Sequence, residues 1–137
     1  MIVDSAVWID FFSRKRGRAW PLLRRAMRER ERVFVTPVIV QEVLQGTHDE
    51  AEFSVLKRSL GALEILHAPD AGAAAIAAAH LYARCRWSGI TIRSSADCLI
   101  ATVAVEHGMP LLTEDRNFWR IRDLERRLKL IELPINA

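Results

Sequence analysis

The stretch Met1-Ile2-Val3-Asp4-Ser5 decides how this chain is read. Ile2-Val3 is too short to show strand alternation, but a clear helix signal follows it directly. Ser5 can cap that helix, and Val7, Trp8, Phe11 and Phe12 recur at helical spacing. An apolar strand that ends on a carboxylate and runs into a helix is how a parallel α/β sheet begins. Three later segments each deliver another acid that local patterning does not demand.

Working outward, Ser13–Gly17 is a polar break. A second helix is expected from Arg18 to Arg32, with Pro21 in its first turn, since deeper it would break the hydrogen-bond ladder. Trp20, Leu23, Met27 and Arg30 share one face of it, as core or partner surface, while Arg24, Arg25 and Arg28 face away. Val33–Val35 reads as a second strand. Thr36-Pro37 then supplies a cap and an N1 proline for a helix over Val38–Gln45, stopped by Gly46. Asp49 opens a helix that buries Phe53, Leu56 and Leu60 and ends at Gly61. Ala62–Leu66 is a third strand, and Pro69-Asp70 opens an alanine-rich helix reaching Trp87. Ser94 or Ser95 caps a helix over Ala96–His107. Leu111–Thr113 is a fourth strand, Glu114–Trp119 turns into a short helix that Trp119 seals against the sheet, and Leu128–Leu133 offers a fifth strand. Strands alternating with helices predict one α/β domain over residues 1–137, a central five-stranded parallel sheet flanked by helices on both faces.

Composition narrows the class. A chain of 137 residues, 50% hydrophobic and 27% charged, can bury a core as one globular domain without staples. No apolar run approaches the ~18 residues that span a bilayer, and no basic segment precedes an apolar one as in a secretory signal. A cytoplasmic protein is expected, with Cys85 and Cys98 as reduced packing thiols inside helices. His48, His67, His80 and His107 share no ligand-like spacing and are expected to be structural or solvent-facing.

Net charge is +3, but residues 13–32 hold nine Lys/Arg against two Glu, whereas residues 33–80 hold two against six. That basic block is either a solvated helix face or a phosphate-gripping surface. Arginine dominates the cations, and its planar fork suits bidentate phosphate contact.

The acids carry the chemistry. Ligands of open parallel sheets bind at the carboxyl ends of the strands. Asp4 ends the first strand and Asp115 follows the fourth, so the two share a crevice if those strands are neighbours; each could equally cap its following helix. Glu42 lies in Val38–Leu44, apolar nearly all round and therefore expected to be buried, with no Lys or Arg within a turn. A distant arginine or a cation must answer it. Asp97 opens a helix whose other residues are apolar, where the helix dipole also favours an acid; Arg93, Ser94 and Ser95 stand beside it. Four carboxylates cannot share a small space as free anions. An oxygen-only set favours Mg²⁺ or Mn²⁺ over zinc, and such ions serve phosphodiester hydrolysis. No Ser-His-Asp order, phosphate-cradling glycine loop or H-E-x-x-H motif is present. An aspartyl-phosphate enzyme would want a second acid at position 6, which is Ala, and a receiver domain a lysine at the end of its last strand, whereas Lys129 starts it.

Four segments together resemble the PIN-domain ribonucleases, specifically the VapC-type toxins: Ile2–Ser5 with Trp8–Phe12, Thr36–Gly46, Ser95–Ala101 and Leu112–Phe118. Each is weak alone; their order and spacing across the chain are specific. The resemblance implies Mg²⁺ or Mn²⁺ on Asp4, Glu42, Asp97 and Asp115, with Ser5 and Thr113 as polar supports. It also implies cleavage of structured RNA such as tRNA or rRNA, a homodimer, and inhibition by a VapB-type antitoxin. Many relatives carry a further acid where this chain has Asn117, which leaves the number of ions open. Arg24, Arg25, Arg28 and Arg93 are the expected RNA contacts. A non-catalytic module that binds RNA through residues 13–32 is the competing reading.

Overall fold

The computed structural model describes residues 1–135. Its strands are β1 (Ile2–Val3), β2 (Phe34–Val35), β3 (Glu64–Ile65) and β4 (Leu111–Leu112). The helices are α1 (Ser5–Phe12), α2 (Trp20–Arg28), α3 (Pro37–Gln45), α4 (Glu50–Gly61), α5 (Ala71–Trp87), α6 (Ser95–Glu106) and α7 (Arg116–Leu124). All pairing is parallel in the order β3-β2-β1-β4, with Val3 opposite Leu112 and Ile2 opposite both Phe34 and Leu111. Side chains alternate between the two faces of a strand. Ile2, Val3, Leu111 and Leu112 are all fully buried, so helices cover both faces of the sheet at β1 and β4. Glu64 and Ile65, on the edge strand β3, are exposed.

The helix starts follow their caps. Thr36 Oγ1 accepts from Ile39 N, Asp49 from Glu52 N and Asp70 from Ala73 N, and Ser94 rather than Ser95 caps α6. Cys85 and Cys98 are buried free thiols in α5 and α6.

Three expectations are corrected. The fifth strand reduces to a single parallel bridge between Leu111 and Leu130. Its contact with the sheet is limited to Leu111 N donating to Lys129 O and Ile131 N to Leu111 O, because β4 beside it is only two residues long. Helix α2 is shorter than Arg18–Arg32: Glu31 N reaches back to Ala26 O, and Arg30 adopts a left-handed φ of 55°, which closes the helix after Arg28. Phe53, expected in the core, is 36% exposed; of the α2 stripe, Leu23 is buried with Ala26 beside it, while Met27 is 41% exposed.

Candidate active site

Strand order reverses at β1. The chain steps from β1 to β2 to β3, then returns to place β4 on the other side of β1. The crevice beyond the carboxyl ends at such a switch point is where open α/β sheets hold ligands. The register puts Asp4 level with Thr113, one residue past the paired Val3 and Leu112, and Asp4 N donates to Leu112 O at 3.0 Å. The conditional neighbourhood of Asp4 and Asp115 is thus met.

Asp4 is 3% exposed. Its Oδ1 accepts from Ser5 N at 2.8 Å, capping α1, and its Oδ2 accepts from the Thr113 hydroxyl at 2.8 Å. Thr113 is itself buried, and its Oγ1 accepts from Asp115 N at 3.0 Å, so one hydroxyl orients the carboxylate and holds the β4–α7 turn. Asp115 Oδ1 accepts from Asn117 N at 2.9 Å, capping α7. Capping and facing the crevice are therefore the same placement, because both helices start where their strands end. The Ser5 hydroxyl lies between Asp4 Oδ1 at 3.4 Å and Glu42 Oε1 at 3.2 Å.

Glu42 is half-buried, not buried as its apolar neighbours suggested. Only Ile39 and Val43 of α3 are buried, since a helix packs one face, and the partner of Glu42 is the Ser5 hydroxyl rather than an arginine. Asp97, buried in the first turn of α6, completes the set, with buried Asn117 beside it. Arg93, Arg24, Arg25 and Arg28 are exposed.

The electrostatics tie the acids together. Burial is the main cause that pushes the Asp4 carboxyl up to about 6, against the hydrogen bonds from Thr113 and Ser5, while Glu42 and Asp115 push it further. Asp97 is pushed up to about 7 by burial, then by Asp4, Asp115 and Glu42, with the Asn117 amide favouring its charged form. Glu42 is raised by desolvation and lowered by its Ser5 bond. Among the described residues, no three His, Cys, Asp or Glu side chains stand close enough to chelate one ion as they lie. Magnesium asks for less, one or two carboxylates plus waters and substrate oxygens, all hard donors. The pair Asp4 and Glu42, bridged by Ser5, fits that requirement.

One residue escaped the sequence reading. Glu114, next to Asp115, reaches across the molecule to accept from Arg18 N and, at 3.2 Å, from Ala19 N at the start of α2. A methyl group at Gly17 would overlap that carboxylate. The only sequence signal was an acid adjoining Asp115 and a glycine before Arg18. Gly17→Ala is expected to cost about 0.5–1.5 kcal/mol, the worth of the Glu114 hydrogen bonding it displaces. In a Glu114→Ala background the same change should be nearly neutral, a coupling that thermal melts of the four proteins would measure. Additive losses would show that the clasp does not hold.

A carboxylate-lined crevice at the switch point of a short parallel sheet defines a class, and the family comparison gives its name. Residues 1–124 match the PIN domain, and the chain belongs to that family. Its relatives place it in the VapC-type branch. It is 32% identical over 119 residues to VapC ribonuclease Mb1587 of Mycobacterium bovis, covering 86% of this chain and 88% of that protein. Ribonuclease VapC11 of Mycobacterium tuberculosis matches to the same extent. VapBC2 from Rickettsia felis, solved bound to a DNA fragment from its promoter, superposes with a TM-score of 0.73 at 18% identity, covering 97% of this chain and 98% of that one. VapBC-1 from nontypeable Haemophilus influenzae gives 0.70 at 16%, covering 96% of each chain. At such identities the likeness is one of fold.

Proposed function

We propose that the chain is a metal-dependent endoribonuclease, the toxin of a toxin–antitoxin pair. The observation that carries this is the gathering of Asp4, Glu42, Asp97 and Asp115 around one switch point, where Glu42 and Asp115 act on Asp4 and all three other acids act on Asp97. Mg²⁺ or Mn²⁺, when bound, supplies a Lewis acid that lowers the pKa of a water and neutralises charge on a phosphodiester. Asp4 and Glu42 would hold it, with Asp97 and Asp115 completing the set directly or through water. Thr113 and Ser5 keep the Asp4 oxygens aimed, and Asn117 can offer a carbonyl oxygen or hold a water. Arg93, ahead of the α6 cap, and Arg24, Arg25 and Arg28 are the cations proposed to meet RNA phosphates. tRNA or rRNA is the proposed substrate class.

A VapB-type antitoxin is the proposed partner. In support, apolar grooves of about 310 and 470 Å³ adjoin one another along α3, α5 and α6, sharing Val38, Ala75 and Leu99. A homodimer is also proposed, and Ile76 and Trp87, each 74% exposed, are the large apolar side chains that the described helices leave most open to solvent. No helix among the described residues is long and apolar enough to cross a membrane.

The test is direct. Total RNA incubated with the purified chain and Mn²⁺ or Mg²⁺ should yield a small set of new ends, mapped by sequencing, which chelator removes. Tight RNA binding with no new ends would instead assign the basic 13–32 segment to a non-catalytic module.

A further inference from the structure

The strongest unassigned feature lies in the basic segment. The guanidinium carbons of Arg16 and Arg24 lie 4.8 and 5.1 Å from the centroid of the half-buried Trp20 ring. Arg14 and Phe11 join them in lining one cavity of about 330 Å³. A guanidinium stacked on an indole is held in place while its donors stay free at the rim, which suits phosphate oxygens. The ion pairs among the described residues are Arg32–Glu64, His48–Glu52 and Arg127–Glu125, so none neutralises Arg14, Arg16 or Arg24. Arg25 differs: one residue further along α2, it sits about 100° round the helix from Arg24, and among the described residues no aromatic ring lies under it.

The stack also has a fixed place relative to the acids. Trp20 follows Ala19, whose N–H donates to the Glu114 carboxylate, and Asp115 follows Glu114. The hydrogen bonds from Arg18 N and Ala19 N to Glu114 therefore tie the segment carrying the stack to the turn carrying a crevice acid.

We infer that Arg16 and Arg24, stacked on Trp20 and tethered by Glu114, form a phosphate-binding subsite that grips the RNA backbone beside the carboxylate crevice. The identity of the polyanion as RNA rests on the ribonuclease reading; the charge and the geometry do not. Charge complementarity selects the occupant, since nine Lys/Arg face two Glu across residues 13–32. Arg14 lines the same cavity and adds to the field.

The experiment compares two charge-matched double variants in the full chain carrying Asp97→Asn, so that the probe is not cut. The probe is end-labelled unfractionated tRNA, titrated across a range of salt. Arg16→Gln/Arg24→Gln should weaken binding about tenfold or more at low salt and lower the slope of log K against log salt by about 1.4 to 1.8, the counterions of two phosphate contacts. Arg25→Gln/Arg28→Gln should lose clearly less of both, because those two phosphate contacts are made by side chains that no ring holds in place. Arg16→Lys/Arg24→Lys should keep the slope, because the charges remain. Equal losses from the two Gln pairs would mean a diffuse field and overturn the subsite. So would a Lys pair as weak as the Gln pair, since packing rather than phosphate contact would then be at stake. Unchanged tRNA affinity with lost binding to an acidic protein partner would hand the surface to that partner and overturn it too. If the chain with Asp97 intact cuts no RNA, the ribonuclease reading falls while this binding comparison still decides the subsite.

Discussion

Asp97→Asn is expected to lower RNA cleavage at least about a thousandfold, some 4 kcal/mol of barrier, while the protein stays folded. The size follows from removing a charge that a bound cation and the developing transition state both use. The fold is expected to gain rather than lose. Asp97 is pushed up to about 7 because burial and three neighbouring acids disfavour its charged form. Its place in the first turn of α6 returns only a few tenths to about 1 kcal/mol through the helix dipole. The upward direction of its pKa shows which effect wins, so the metal-free variant should melt higher than the parent above neutral pH. Asp4→Asn should abolish cleavage equally but stabilise less. Asp4 accepts from both Ser5 N and Thr113 Oγ1, and an asparagine keeps only one acceptor oxygen, leaving the Thr113 hydroxyl to turn and accept from the new amide. Cleavage within tenfold of the parent in either variant would sink the proposed active site.

The second large effect couples pH to metal. Asp4 at about 6 and Asp97 at about 7 keep protons in the folded chain that an unfolded carboxyl releases near its ordinary value of 3.8. Between those values the native state binds more protons than the unfolded one. Metal-free stability therefore falls as pH rises through that window, by at most about 1.4 kcal/mol per pH unit for each group. A divalent ion acts in the opposite sense, since it binds the ionised carboxylates. Near pH 8 it meets no competing proton, and at a hundredfold excess over its Kd it should add about 2.7 kcal/mol. Near pH 5 protons hold the same oxygens and the gain should shrink toward nothing. Melting curves with and without Mn²⁺ at the two pH values read this without any cleavage assay. A gain equal at both, or one that survives Asp97→Asn undiminished, would place the ion elsewhere.

Much of this was legible in the residues because it is local. A cap reaches two or three residues, as in Thr36 to Ile39 or Asp49 to Glu52, and a proline at the head of a helix announces itself. The four acids could be picked out for a related reason: each sits at an element boundary or on a helix without a cation in reach. Their resemblance to a family gave the set an order, and the family itself was then shown by the match over residues 1–124.

What local pattern cannot carry is contact between distant segments. Whether β4 lies beside β1 depends on a register spanning more than a hundred residues, and the Thr113–Asp4 bond exists only because that register holds. The exposure of Glu42 depends on which face α3 packs, so an apolar sequence overstated its burial. The fifth strand failed because its neighbour β4 offers only two residues to pair with. The Glu114 clasp was invisible for the same reason, whereas the Trp20–Arg24 stack is a local contact one helical turn long, with Arg24 folded over the ring instead of facing away from it. By itself, then, the sequence determined four strands, most of the caps and the carboxylates, since those follow from neighbours within a turn or two. Only the tertiary structure decided that Asp4 and Thr113 share one crevice and that Glu114 ties the arginines to it, since such contacts are set by how the whole core closes.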